Sequence, residues 1–393
     1  MSHQKRKIST GVLFALLCFC YMIPNYVQYQ LPSLGTQLMD EYGLTLGNLS
    51  SLFSAPMIPA IVFSLAGGML LDRLEPKMVI GVGLVLTAIG SIERIFCVQF
   101  GFLFVCMMLT GMTACFITAG AGKIISGIYQ TEDISSKMGV LMACSTGAMT
   151  VANLTTSYLG SVHTAFLIGA VIASIGVVLW FGLMKRSDLE TVDTKRKQEN
   201  IVYCIRVVLK EQGVWIVAFA LFFVMAANVV MSSFLPTALI SKGVHSKIAG
   251  ILAACYTQGN LLGCFVAPLS IKCLKSQKKT LIIFAILAAA GITFAWQIPK
   301  TIVTGIVLCL TGIFLGGLVP TLMGVPVQLP QIGTAYAGTA GGVVATIQIG
   351  GAVLVPSYIL VPIAGENFNF LFGLGGICLL ISSFLMIFLK GIK

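Results

Sequence analysis

Charge is what this 393-residue sequence has least of: Asp, Glu, Lys and Arg make up 9% of it. Soluble domains carry about 25% charged residues, so a chain this long with so few lacks the polar surface to face water, and a soluble protein is excluded. Histidine is equally scarce. His3, His163 and His245 are isolated, and no acidic pair accompanies them, whereas a membrane-embedded enzyme needs clustered His, Asp or Glu for acid–base or metal-assisted chemistry. No Cys/His cluster has zinc-binding spacing, and Cys18 and Cys20 are spaced C-x-C. Of the 12 cysteines, Cys18, Cys20, Cys106, Cys115, Cys144, Cys255, Cys264, Cys309 and Cys378 lie inside apolar runs, where a free thiol packs as a small hydrophobe. The expectation is a protein that is not an enzyme and that uses no metal or other cofactor.

What the chain does have is apolar residues, 57% of the total, and they come in blocks. Val79–Ile92, Ala165–Met184 and Leu371–Leu389 are almost free of charge, and several such runs approach the roughly 20 residues that cross a bilayer. Periodicity and punctuation predict twelve spans, over 9–31, 48–71, 78–96, 100–122, 138–160 and 164–184, then 213–235, 247–270, 280–297, 301–323, 337–361 and 369–389. The basic start Lys5-Arg6-Lys7 followed by an apolar stretch resembles a signal peptide. That stretch continues to about Leu31 without a small-residue cleavage site, so it reads as a retained first span. The longest polar interval, 185–212, contains Lys195-Arg196-Lys197 and divides the spans six and six.

The net charge of +11 invites a nucleic-acid reading, but the positions of the basic residues reject it. With the amino terminus inside, all of the 24 Lys and Arg except Arg94, Lys242, Lys247 and Lys300 fall in the terminal segments and loops on the cytoplasmic side. This is the positive-inside bias of a helical membrane protein with both termini cytoplasmic. Trp180, Trp215 and Trp296 lie near span ends, where amphipathic rings favour the interface.

The two halves echo each other. Leu109-Thr110-Gly111 recurs as Leu310-Thr311-Gly312, Ser157-Tyr158 as Ser357-Tyr358, and Asn25 as Asn228, at offsets of 201, 200 and 203. A duplicated six-span unit follows, and parallel six-span repeats are one transporter architecture. Between the second and third spans lies Gly68-Met69-Leu70-Leu71-Asp72-Arg73-Leu74-Glu75-Pro76-Lys77. Gly68 permits close helix approach; Asp72 accepts from helix amides or pairs with a base, and Arg73 and Lys77 stay in the cytoplasmic charge layer. An ordinary positive-inside loop would carry similar charge. The G-x-x-x-D-R-x-x-x-K pattern resembles the loop signature of the major facilitator superfamily. The resemblance implies an all-α fold of twelve transmembrane helices in two pseudo-symmetric six-helix bundles, 1–184 and 213–393, joined by a cytoplasmic linker, 185–212. It implies that Gly68, Asp72, Arg73 and Lys77 gate the conformational change. The sequence departs from the family pattern in having Glu75 where a second glycine is usual, Met107 and Met108 where an arginine usually precedes the fourth-span glycine, and Gly147-Ala148 where drug antiporters have Gly-Pro.

All 13 acidic residues fall in loops or at span ends, and no arginine or lysine is placed at mid-membrane depth. Intramembrane ionisable groups mark proton relays and charged-substrate sites, so an uncharged site is expected. Amides and phenols remain. Asn25, Gln28 and Tyr29 share one face of the first span by i, i+3, i+4 spacing, Tyr256 and Asn260 share a face of the eighth, and Asn153, Asn228 and Gln348 fall in the fifth, seventh and eleventh. These eight are the candidate substrate-binding residues. Interhelical hydrogen bonding is the favoured reading of any single amide, and cavity lining that of the Asn25, Gln28 and Tyr29 stripe, where three polar groups exceed what packing needs. The glycines of Gly338–Gly342 and Gly350-Gly351 read as helix-packing positions rather than a phosphate cradle, since no strand–loop–helix context surrounds them.

The resulting expectation is a secondary active transporter in the cytoplasmic membrane, moving a small neutral, zwitterionic or monoanionic solute by alternating access. It acts as a monomer whose partners are that solute and the lipid bilayer, with no nucleic acid. A proton-independent exchanger or uniporter, a carrier of lipophilic compounds and, from another class, a non-transporting membrane sensor are the alternatives. A sensor would need an output domain that the 185–212 interval is too short to supply.

Overall fold

A computed structural model describes residues 10–61, 76–118, 125, 134–184, 201–299, 301–329, 331–332 and 336–389, and these are helical with no strand. The helices are α1 (Thr10–Ser33), α2 (Gly35–Tyr42), α3 (Leu46–Ser54), α4 (Pro76–Glu93), α5 (Phe100–Thr110), α6 (Ile134–Leu159), α7 (Val162–Leu183), α8 (Ile201–Lys210), α9 (Gln212–Ser241), α10 (Ser246–Leu274), α11 (Gln277–Phe294), α12 (Thr301–Met323), α13 (Ala337–Val355) and α14 (Phe368–Ile387). α3 continues through a 3-10 turn to Ile61, α5 to Thr118, and α13 through a π turn at Pro356–Leu360 to Ala364. Among the described residues, every predicted span has a helix at its place. Among the described residues nine helices are long and apolar enough to cross a membrane, and Leu46–Ile61 is a shorter apolar one. The 30 residues of α9 rise about 45 Å at 1.5 Å per residue, more than the roughly 30 Å of a hydrocarbon core.

Polar residues placed just before the apolar runs set where several helices begin. The side chains of Glu211, His245, Ser276 and Asn367 accept from the backbone N–H of Gly213, Lys247, Lys279 and Phe370, capping α9, α10, α11 and α14. Each cap satisfies a donor the first helical turn leaves open. α2 ends at Gly43, whose φ of 64° places it in the left-handed region that glycine tolerates.

By contact the chain falls into two units. One holds the described residues of Met1–Gln28, Ala55–Met149 and His163–Lys195; the other holds those of Tyr29–Ser54, Thr150–Val162 and Arg196–Lys393. In the first, Leu17, Cys20 and Ile23 of α1 form a core with Ile80 and Leu84 of α4, Ile117, Leu141 and Trp180. The Trp180 indole donates to the Lys77 carbonyl at 3.0 Å, tying the end of α7 to the start of α4.

In the second unit α10 and α12 pack backbone against backbone. A Cβ added to Gly312 would land on the Tyr256 carbonyl, one on Gly316 on the Asn260 carbonyl, and one on Gly259 on the Cys309 carbonyl. Small residues substitute here for interdigitating side chains, as membrane helices require for close approach. The same joint exists in the first unit, where a Cβ on Gly111 would land on the Pro56 carbonyl. Gly111 and Gly312 are the matched glycines of the repeat, and Pro56 and Tyr256 stand 200 residues apart. Gly90 against α5 and Gly291 against Thr311 repeat the pattern once more. The duplication is therefore one of packing as well as of sequence.

Candidate functional site

The glycine seam between α10 and α12 fixes α10 so that Tyr256 enters the interior of the second unit, where it is 1% exposed. Its hydroxyl donates to Asn228 Oδ1 on α9 at 2.7 Å. Ser232, one turn along α9, donates to the same oxygen at 3.4 Å. Asn260 Nδ2 reaches the Tyr256 carbonyl at 3.5 Å, and Asn260, Ser232 and Tyr29 are all within electrostatic or hydrogen-bonding reach of the Tyr256 phenol. The Tyr29 hydroxyl hydrogen-bonds Ser232, and its ring stands edge-on to Phe53 at 5.2 Å between centroids. Four of the eight predicted residues, Tyr29, Asn228, Tyr256 and Asn260, thus converge, and Ser232 joins them. The sequence analysis missed Ser232; its position four residues after Asn228 on one face was the available signal.

The other four are placed differently. Asn25 and Gln28 belong to the first unit and are buried, as the stripe on α1 predicts. Asn25 Nδ2 donates to the Tyr21 carbonyl of its own helix at 2.8 Å, which spends that donor locally. Asn153 is buried on α6, and its main-chain carbonyl accepts from Ser33 at 3.4 Å and from Ser157 at 3.1 Å. Its side-chain Oδ1 has no hydrogen-bond partner among the described residues, and neither does Gln348 Oε1 on α13. Buried acceptors without partners cost free energy unless something satisfies them, so these two oxygens are open to a ligand or to water.

Hydroxyls occupy a second region of this unit. Ser50 and Ser357 hydroxyls are 3.0 Å apart, Ser54 lies 3.4 Å from Ser357, and Thr150 meets Thr257 at 2.9 Å. Ser157 presses on Gly250. Adding 200 to Ser50 and Ser157 gives Gly250 and Ser357, so the two contacts are images of each other under the repeat.

Of the predicted gating residues, Gly68, Asp72 and Arg73 lie outside the described residues; Lys77 is the second residue of α4. The described carboxylates Asp40, Glu41, Glu93, Glu211 and Glu366 sit in α2, at helix ends or in turns, in keeping with an uncharged site. One cation is deeply buried nonetheless. Arg94, just past α4 and assigned by sequence to a span end, is 0% exposed. Its Nη1 donates to the Val27 carbonyl at 3.2 Å, and its guanidinium lies 4.3 Å from the Phe166 ring centroid. Lys242, at the end of α9, sits over Trp296 at 3.6 Å. The sequence signal for Arg94 was its place outside the cytoplasmic segments, which it shares with Lys242, Lys247 and Lys300. An apolar groove of the first unit, lined by Ile92, Phe96, Leu167, Val171 and Ile175, carries no polar group of the cluster and reads as lipid-facing surface.

The sequence model of the Major Facilitator Superfamily matches residues 12–356. Among solved structures, the nucleoside transporter NupG superposes with a TM-score of 0.74 at 14% identity, covering 96% of this chain and 100% of that one; a NupG variant reaches 0.78 at 16%. A bacterial homologue of the human lysosomal transporter Spinster, in an inward-facing and occupied conformation, superposes with a TM-score of 0.75 at 13% identity, covering 97% and 96% of the two chains. At these identities the likeness is one of fold. No curated protein matches the sequence itself.

Proposed function

Since the chain belongs to the Major Facilitator Superfamily, and is accordingly a multi-pass membrane transporter rather than an enzyme, we propose that it carries a small uncharged, hydroxyl- or amide-bearing solute by alternating access. The observation that carries this reading is the buried group of Tyr29, Asn228, Ser232, Tyr256 and Asn260, which presents donors and acceptors without a charge. A buried site built to hydrogen-bond a solute discriminates against analogues that leave its polar groups unpaired. Zwitterions and monoanions remain within the class, bound through amides and helix N-termini. The chemistry fits polyhydroxylated neutral solutes, and the nucleosides carried by the structural relative NupG are the first members to test.

The division into 1–184, a 185–212 linker and 213–393, with both termini in the cytoplasm, belongs to the same proposal and rests on the basic-residue bias and the repeat. So does the gating role of Gly68, Asp72, Arg73 and Lys77, and so does function as a monomer in the cytoplasmic membrane. Exchange or uniport is favoured over proton symport by one observation: the described carboxylates stand at helix ends, in turns or in α2, and none joins the polar cluster to carry a proton. The test is uptake of labelled nucleosides, sugars and amino acids into proteoliposomes, with and without an imposed pH gradient. Saturable uptake of a neutral solute that is weakened by Asn228→Ala is expected. Uptake confined to cations or to multiply charged anions, or unchanged by that substitution, overturns the site; dependence on the gradient overturns the uncoupled mode.

A further inference from the structure

Cys97 lies in the turn between α4 and α5, and Cys106 lies on the second turn of α5. Their sulfurs are 3.7 Å apart. A disulfide needs about 2.05 Å, so closure requires a sulfur displacement of under 2 Å, within reach of side-chain rotation in an irregular turn. Accessibility divides the pair: Cys97 is half-buried and Cys106 buried. Among the other described thiols, Cys144 hydrogen-bonds the buried Cys18 and Cys255 neighbours Cys309, but those four lie within helices, whereas Cys97 lies in an irregular turn. Cys18 and Cys20 are buried within α1, and Cys264 and Cys273 belong to α10.

We propose that Cys97 and Cys106 form an oxidisable dithiol, a modification site that closes to an intramolecular disulfide with a hydroperoxide as oxidant. The Cys97 thiolate attacks the peroxide oxygen and becomes a sulfenic acid, releasing the alcohol. The Cys106 thiol then condenses with it, forming the S–S bond and releasing water, so two thiols and one hydroperoxide yield one disulfide, one alcohol and one water. The product fastens the α4–α5 turn to α5, beside the Arg94 contacts with Val27 and Phe166. On the orientation proposed above this turn lies on the side away from the cytoplasm, outside the compartment that keeps thiols reduced. The chemistry itself does not depend on that reading or on the transport assignment.

The test uses the purified full chain treated with tert-butyl hydroperoxide, alkylated, cut with chymotrypsin and mapped by mass spectrometry without reductant. Chymotrypsin cleaves after Phe100, Phe102 and Phe104, which separates the two cysteines. The expected result is one linked pair of peptides joining Cys97 to Cys106, two fewer alkylatable thiols per chain, and reversal by dithiothreitol. The link should vanish in Cys97→Ser, with no other pair replacing it. Full alkylation of both residues after treatment, oxidation of Cys97 to a sulfinic acid without a link, or a link from Cys97 to any other cysteine each overturns the proposal. The mapping is decisive on the unsubstituted chain, so it survives a variant that fails to fold.

Discussion

Tyr256 donates to Asn228 Oδ1 at 2.7 Å across two helices, onto an oxygen that Ser232 also contacts at 3.4 Å. The acceptor has two lone pairs and both are addressed, so the group is self-satisfied when no solute is present. Such a site binds by exchanging one internal bond for one to the ligand. Tyr256→Phe removes the stronger donor and leaves Asn228 Oδ1 with Ser232 alone. The expected loss is about 0.5–1.5 kcal/mol of stability, the range of one such bond between helices, readable as a lowered midpoint in thermal unfolding of the detergent-solubilised protein. Affinity for the transported solute should fall as well, because the polar partner it would meet is gone. A Tyr256→Phe protein with unchanged melting and unchanged uptake would remove this group from the site.

The helix seams predict opposite outcomes for two glycine substitutions. At Gly312 an added Cβ would meet the Tyr256 carbonyl and the Asn260 backbone, so α10 and α12 must separate. Gly312→Ala should destabilise by about 1–3 kcal/mol through overpacking, and it should also displace Tyr256 and impair transport. Gly147 on α6 is half-buried with open space around its Cβ position, and a glycine inside a helix is about 1 kcal/mol worse than alanine. Gly147→Ala should therefore be neutral or stabilising. Unfolding midpoints of the two variants side by side check the pair, and equal behaviour would contradict the backbone contact.

Much of this was legible in the residues. The described part of each of the twelve predicted spans holds a helix, nine of them of membrane length, because apolar runs of membrane length favour the backbone arrangement that satisfies its own hydrogen bonds. The repeat was visible in Leu109-Thr110-Gly111 and Leu310-Thr311-Gly312 because close packing tolerates little besides glycine there. Convergence was less legible. Tyr29 and Tyr256 were found from helical spacing, yet spacing on one helix does not say which neighbour a side chain meets, so Ser232 was missed and Asn25, which bonds its own helix, was grouped with them. Arg94 was located correctly at a helix end, but its burial depends on Phe166 and Val27, which are distant in sequence.

Arg94 and Lys242 offer a controlled comparison of buried and exposed cations over aromatic rings. Arg94 is fully buried, with its guanidinium over Phe166 and one N–H on the Val27 carbonyl. Lysine cannot reproduce the planar stack or the fork of donors, so Arg94→Lys should cost about 1–3 kcal/mol. Lys242 lies over Trp296 but is solvent-exposed, where such contacts contribute about 0.5–1 kcal/mol. Lys242→Met should lower the unfolding midpoint less than Arg94→Lys does; the reverse order would contradict the burial of Arg94.

Ser50 and Ser357 are 307 residues apart in sequence and share a 3.0 Å hydroxyl contact. A transporter that works by alternating access must make and break contacts of this kind once per cycle, whereas a static bundle would keep them. In Ser50→Cys/Ser357→Cys the two thiols stand where the hydroxyls do, close enough to be joined by copper phenanthroline with small side-chain rotations. Oxidation is expected to produce an internal crosslink and to stop uptake in proteoliposomes, with dithiothreitol restoring both. Each single substitution, carried through the same oxidation, reports any contribution from the native cysteines. Efficient crosslinking with full retention of uptake would show that the contact persists throughout the cycle and that Ser50 and Ser357 only hold the helices together.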